Sequence, residues 1–303
     1  MKDLTNRLSR SLIFLDLCKV KLSAAVSLSA MTGYFLQMQG TKDSIVTMTA
    51  GVFLLASGCS ALNQYQERYI DARMPRTMNR PIPSGRMEPV HAIFTSIFLI
   101  CFGLLLLHYA GKNKAFLLGC TALFFYNGLY TYLKTKTPFA VLPGAIIGTI
   151  APSIGWVSAG GELANFRLAI LCCFFFLWQM PHFWLLILKY GGEYEGAGLP
   201  SLSKILSRPQ IVRIIFQWIF ATAVCCQMIS IFGAGSSVTR VCLLILTVLY
   251  IGLGVKVVRG NPDSLQPAFA RMNSYMIAVL LFLLADRVVT VLPQVGRSFL
   301  LHF

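Results

Sequence analysis

Charge is scarce in this chain. Only 12% of the 303 residues are Asp, Glu, Lys or Arg, and only 11 are acidic. A water-soluble domain carries about twice that charged fraction, so a soluble globular protein is excluded. No CxxC pair occurs among the nine cysteines; Cys172-Cys173 and Cys225-Cys226 are adjacent pairs inside apolar runs. Adjacent residues leave a helix in different directions, which makes a poor metal clamp, and both pairs read as packing residues. Segments of alternating polar and apolar residues are missing too, which excludes a transmembrane β-barrel. There is no low-complexity tract and no visible repeat, and no cleavable signal sequence is expected, because Met1 to Asp16 is charged and the first apolar run is a full span.

What the chain has instead is hydrophobic length. Hydrophobic residues make up 56%, and the mean hydropathy is +0.68. Long apolar runs recur, and a helix of roughly 20 residues crosses a hydrocarbon core of about 30 Å. The pattern predicts an all-α, polytopic membrane bundle of nine spans, at about 22–40, 44–62, 92–110, 115–132, 139–158, 167–188, 211–233, 239–256 and 272–292. Residues 1–303 are expected to form one integral membrane domain, because the connectors are short. The net charge of +15 would suggest nucleic acid in a soluble protein. Here the positive-inside rule accounts for it: with a cytoplasmic N-terminus, most of the 26 Lys and Arg fall on the inner side. No nucleic-acid partner is expected.

The few charges are concentrated. Asn63, Glu67 and Asp71 follow the second apolar run at spacings i, i+4, i+8, which on a helix fall within an arc of about 80°. Oxygen ligands stacked this way suit Mg²⁺, which takes one or two carboxylates together with phosphate oxygens and water. Arg76 and Arg80 follow, i, i+4 apart, and arginine matches phosphate with a planar fork. Acids for a metal and arginines for an anion describe a diphosphate site; the competing reading is a solvated loop whose charges pair with each other. A second acidic stretch, Lys189 to Pro200 with Glu193 and Glu195, lies at the end of the sixth span on the same side. Its glycines, 191, 192, 196 and 198, predict that the helix frays there. Lys134 and Lys136, in the loop 130–138, offer either phosphate partners or membrane anchors.

Span six contains Trp178-Gln179-Met180-Pro181-His182-Phe183. Pro181 frees a backbone carbonyl and predicts a kink; Pro143 and Pro152 predict a second irregular helix in span five. Gln179 and His182 are costly in lipid unless they face a cavity. His182 could ligate a haem iron, move a proton, or pack as an ordinary core histidine. Trp178, Phe183 and Trp184 could stack on a flat macrocycle or fill the core.

These segments resemble the protoheme IX farnesyltransferases, a family of the UbiA superfamily of intramembrane prenyltransferases. The resemblance rests on Asn63 through Gly85, on Tyr130 through Trp156, on Tyr194 with Ala197 to Pro200, and most specifically on Trp178 to Phe183. Against the family pattern, Glu67 and Glu193 stand in place of Asp, Lys19-Val20-Lys21 in place of Lys-Pro-Arg, and Lys134-Thr135 in place of Lys-Arg. The resemblance implies transfer of a farnesyl group from farnesyl diphosphate to a vinyl group of heme b, giving heme O and diphosphate. It implies Mg²⁺ on Asn63, Glu67 and Asp71, diphosphate on Arg76, Arg80 and Lys134, and heme against His182, Gln179 and Trp178. Glu193 would support a second metal or orient a basic residue. Asn63, Asp71 and His182 are the implied catalytic residues. The implied setting is a bacterial plasma membrane with cytoplasmic catalytic loops. Heme A synthase or terminal-oxidase assembly proteins are the candidate protein partners.

Overall fold

The computed structural model describes residues 11–38, 44–259 and 265–300, without the side chains of 265–266 and 291–300. Among the described residues there is no strand. The long helices are α1 (Val20–Gln37), α2 (Ser44–Gln66), α3 (Pro89–Leu123), α4 (Val141–Ser158), α5 (Phe166–Gly196), α6 (Arg208–Gly233), α7 (Ser237–Arg259) and α8 (Leu265–Leu300). Sequential neighbours pack together around the bundle. The set closes where α8 meets both α1 and α5.

Seven of the described helices are long and apolar enough to cross a membrane, fewer than the nine spans the sequence predicts. The difference lies at two places. The first is α1, which is too polar to qualify, with Ser23, Ser27, Ser29, Thr32 and Tyr34 all buried against its neighbours. The second is the stretch 89–133, which forms one apolar run but is broken at Gly111 and Lys112 by non-helical backbone. That break separates the predicted spans 92–110 and 115–132. Large apolar side chains such as Phe94, Phe98, Val248 and Leu249 point outward, as a lipid-facing surface requires. The chain is a multi-pass membrane protein.

With lipid outside, helices cannot associate by hiding apolar surface from water, so close backbone approach does more of the work. The contact between α1 and α4 shows this. A Cβ on Gly155 would lie 1.8 Å from the Ala30 carbonyl oxygen, and one on Gly33 would lie 2.0 Å from that of Pro152.

One local expectation, at Gly191 and Gly192, is corrected. Pro152 and Pro181 sit inside α4 and α5, which run on through them. Neighbouring helices hold both in place, and a membrane helix tolerates proline under those conditions. The predicted fraying at Gly191 and Gly192 does not occur. There α5 continues to Gly196, because Gly191 is buried under Ser201 and Ser203 and packing outweighs propensity. The turn comes at Gly198, whose φ of +79° suits glycine.

Candidate active site

The carboxylates gather where α2 runs out. Its last residue is Gln66, and Glu67 leaves helical geometry at φ −94°, ψ 3° before the single turn Arg68–Asp71. Backbone bonds still run from Glu67 N to Asn63 O (2.9 Å) and from Asp71 N to Glu67 O (2.8 Å). The three side chains predicted on one face are thereby kept together. All three are buried, with Asp71 only 1% exposed.

Their partners are basic. Arg80 Nη1 donates to Asp71 Oδ2 at 2.6 Å, and Lys134 Nζ to Glu67 Oε1 at 2.5 Å. Asn63 Nδ2 donates to Glu67 Oε1 and, at 3.1 Å, to Thr131 Oγ1. Lys19 Nζ donates to Asn63 Oδ1 at 3.1 Å. The acids and the cations therefore interleave. They do not divide along the sequence into an acidic part and a basic part.

Lys19 was passed over in the sequence except as a departure from a family pattern. It heads α1 in a left-handed conformation (φ 45°), which a non-glycine residue adopts only where its surroundings hold it. Burial and then the Arg80 guanidinium push its ammonium down to about 8, while Glu67 and Asp71 oppose the shift.

A seven-residue π-helix, Phe124–Tyr130, was also unforeseen. Its hallmark is Asn127, whose Nδ2 donates to the Cys59 carbonyl and to Gln66 Oε1, each at 3.0 Å. Gln66 Nε2 returns a bond to the Asn127 carbonyl at 3.0 Å. The wide turn shifts the register of everything after it, so that Thr131 meets Asn63 and Lys134 meets Glu67. Asn127-Gly128 within an apolar span was the available signal.

Arg76 is placed elsewhere. Residues 72–87 form successive turns and no helix, so the i, i+4 spacing of Arg76 and Arg80 does not put them on one helix face. Arg76 is exposed, and its backbone N–H faces Glu193 Oε2 at 3.4 Å. Its guanidinium reaches the Tyr194 hydroxyl at 3.3 Å and lies over the Tyr190 ring. Glu193 thus sits across from Arg76 and is not grouped with Glu67 and Asp71. Around this junction Met74, Ala197 and Leu199 form a small apolar cluster with Ile70 and Tyr194. It joins the two acidic loops.

The residues can be tested for metal binding. Asp71 Oδ1 is buried and has no hydrogen-bond partner. A sealed, unpaired carboxylate oxygen costs far more than a paired one, and a divalent cation would satisfy it. Among the described residues no three His, Cys, Asp or Glu side chains converge, which disfavours zinc. Two carboxylates beside an amide still suffice for Mg²⁺, which fills its other positions with phosphate oxygens and water.

On α5, Trp178, Gln179 and His182 are half-buried. His182 packs between Trp178 (ring centroids 5.1 Å apart) and Phe269 (4.8 Å). Gln179 lies in a notch left by Gly148 of α4, where a Cβ would come within 2.0 Å of Oε1. Trp184 is core. Phe183 touches Tyr130 at 5.9 Å, and Tyr130 immediately precedes Thr131. One ring contact therefore links the histidine segment to the acid–base site.

Residues 26–278 match the UbiA prenyltransferase family. A protein of Oleidesulfovibrio alaskensis named protoheme IX farnesyltransferase is 37% identical over 280 residues, covering 91% of this chain and 96% of its own. A protein of the same name from Nitratidesulfovibrio vulgaris is 33% identical over 272 residues, covering 89% and 93%. Among solved structures, a UbiA homologue from Aeropyrum pernix superposes with a TM-score of 0.73 at 16% identity, over 88% of this chain and 98% of its own. One from Archaeoglobus fulgidus bound to GPP and Mg²⁺ gives 0.64 at 12% identity, over 89% and 99%. At those identities the structures speak for the fold alone.

Proposed function

The chain belongs to the UbiA prenyltransferase family, and from that premise we propose that it transfers a farnesyl group from farnesyl diphosphate to a vinyl group of heme b. The products are heme O and diphosphate, and the hydroxyl of the new side chain comes from water. The relatives named for this reaction match nearly end to end. The structural observation that carries the reading is the joining of two sites through Tyr130 and Phe183. One is a buried acid–base cluster suited to a metal diphosphate. The other is an aromatic-walled histidine suited to a porphyrin.

Asn63, Glu67 and Asp71 would hold Mg²⁺; bound there, it supplies charge neutralisation for the departing diphosphate. Arg80 and Lys134 take diphosphate oxygens. Each is already pinned by a carboxylate, so its charged head is placed before substrate arrives. Arg76, on the adjoining loop, closes the anion from the side of Glu193 and Tyr194. As the C–O bond of the farnesyl donor breaks, the electron-rich vinyl carbon attacks the allylic carbon. The resulting cation beside the porphyrin adds water and loses a proton. Apolar helices around the site exclude other water while the allylic cation lives, and they give the farnesyl tail a lipid-like groove. The whole chain works as one membrane domain. The basic loops support a position for the acid–base cluster on the cytoplasmic side of a bacterial plasma membrane. Heme A synthase and oxidase assembly proteins are natural recipients of the product.

The test is to express the protein in a bacterial host that lacks heme O and to extract its membranes. A farnesylated heme supports the proposal. A prenylated benzoate with unmodified heme overturns it.

A further inference from the structure

His182 sends its two ring nitrogens into different surroundings. Nδ1 lies 3.0 Å from Asn273 Oδ1 on α8. Nε2 has no hydrogen bond among the described residues, and it is not among the sealed unpartnered atoms, unlike Trp184 Nε1. The ring is held in place by Trp178 and Phe269 on either side and by Phe183 edge-on at 84°. The register of α8 against α5 is fixed next door, where Trp178 Nε1 donates to the Met272 carbonyl at 3.3 Å.

Asn273 stands on an otherwise apolar helix face with Phe269, Met272 and Met276. An amide there is costly in a membrane unless something uses it. An amide oxygen only accepts. Facing Nδ1, it selects, of the two neutral tautomers, the one that carries its proton on Nδ1, and that tautomer leaves the Nε2 lone pair free. Metal-bound histidines use this arrangement: the second nitrogen donates to an oxygen that fixes the tautomer and raises the basicity of the ligating nitrogen. With the Asn273 amide turned the other way, Nε2 would carry the proton and could not ligate.

Resting on heme as the acceptor, we propose that Asn273 is a positioning residue that holds His182 with Nε2 directed at the iron of the substrate heme. The porphyrin is rigid, so anchoring its iron limits where its vinyl edge can lie. The contact between Phe183 and Tyr130 then sets that edge against the diphosphate site.

The experiment titrates ferric heme b into the purified full chain in lipid nanodiscs, read by optical and electron paramagnetic resonance spectra. Turnover and farnesyl diphosphate affinity are measured in parallel. Wild type should show saturable heme binding with a nitrogenous axial-ligand signature. His182→Ala should lose that signature, and added imidazole should restore it. Asn273→Leu should weaken heme binding by about tenfold or more and raise the KM for heme, with farnesyl diphosphate affinity unchanged. Asn273→Asp keeps an acceptor at Nδ1, so it should retain binding and shift the bound heme to a lower reduction potential. Unchanged affinity and spectrum in Asn273→Leu would overturn the role of Asn273. Heme binding by wild type without a nitrogen ligand would overturn the iron contact while leaving heme as substrate. Wild type that neither binds nor modifies heme would remove the functional reading itself.

Discussion

Asp71 is the side chain on which the proposed metal site turns. It is buried, one oxygen is paired to Arg80 and the other has no partner. Removing the carboxylate removes both the proposed metal ligand and the counter-ion of Arg80. Asp71→Ala should therefore lower kcat/KM by about a hundredfold or more and abolish dependence on Mg²⁺, with the protein still inserted in membranes; steady-state assays at varied Mg²⁺ check this. Arg80→Ala does the reverse and strands a buried anion. Breaking one partner of such a pair costs about 3–5 kcal/mol, toward the low end here because Arg80 is 24% exposed. A fall in melting temperature that Mg²⁺ with a non-hydrolysable farnesyl diphosphate analogue reverses is the expected result. At this scale the acidic ladder was legible because i, i+4, i+8 spacing survives the end of α2 through two backbone bonds. The pairing of Arg80 was not, since it depends on turns between residues 72 and 87 that no periodicity encodes. The same turns send Arg76 to Glu193 and Tyr194.

Among the elements, the π-helix has the largest consequence for the site. Without its extra residue, Thr131 and Lys134 would present different faces to Asn63 and Glu67. The Asn127–Gln66 amide pair and the bond to the Cys59 carbonyl hold the wide turn open. Asn127→Leu should relax it toward an α-helix and rotate Lys134 away from Glu67. The expected outcome is a loss of activity of about tenfold or more, in the range that misplacing catalytic groups produces, with a raised KM for farnesyl diphosphate. Heme binding should change little, since His182 stands on α5. Kinetics alongside heme titration would check this. Hydropathy located α2 to α8 well. The glycine at 191 misled, because a backbone breaker reports local preference while the residues packed around it decide the outcome. The polar character of α1 was visible in its serines, but only the close contacts of Gly33 and Gly155 explain why such a helix is held in the bundle.

For the whole molecule, the distribution of Lys and Arg predicts one orientation. The loop 72–87 and the loop 130–138 should face the cytoplasm, while the break at Gly111–Lys112 should face the opposite side. In a cysteine-depleted background, a cysteine at Asn79 should react with a membrane-impermeant maleimide only in inside-out vesicles, and one at Asn113 only in right-side-out cells. The opposite pattern would invert the topology.

The most direct measurement incubates the purified protein with heme b, farnesyl diphosphate and Mg²⁺, and follows heme by mass spectrometry and diphosphate by release assay. The account predicts heme O and diphosphate in one-to-one yield, abolished by a chelator and lowered about a hundredfold or more in Asp71→Ala. Diphosphate release with heme b left unmodified would contradict it.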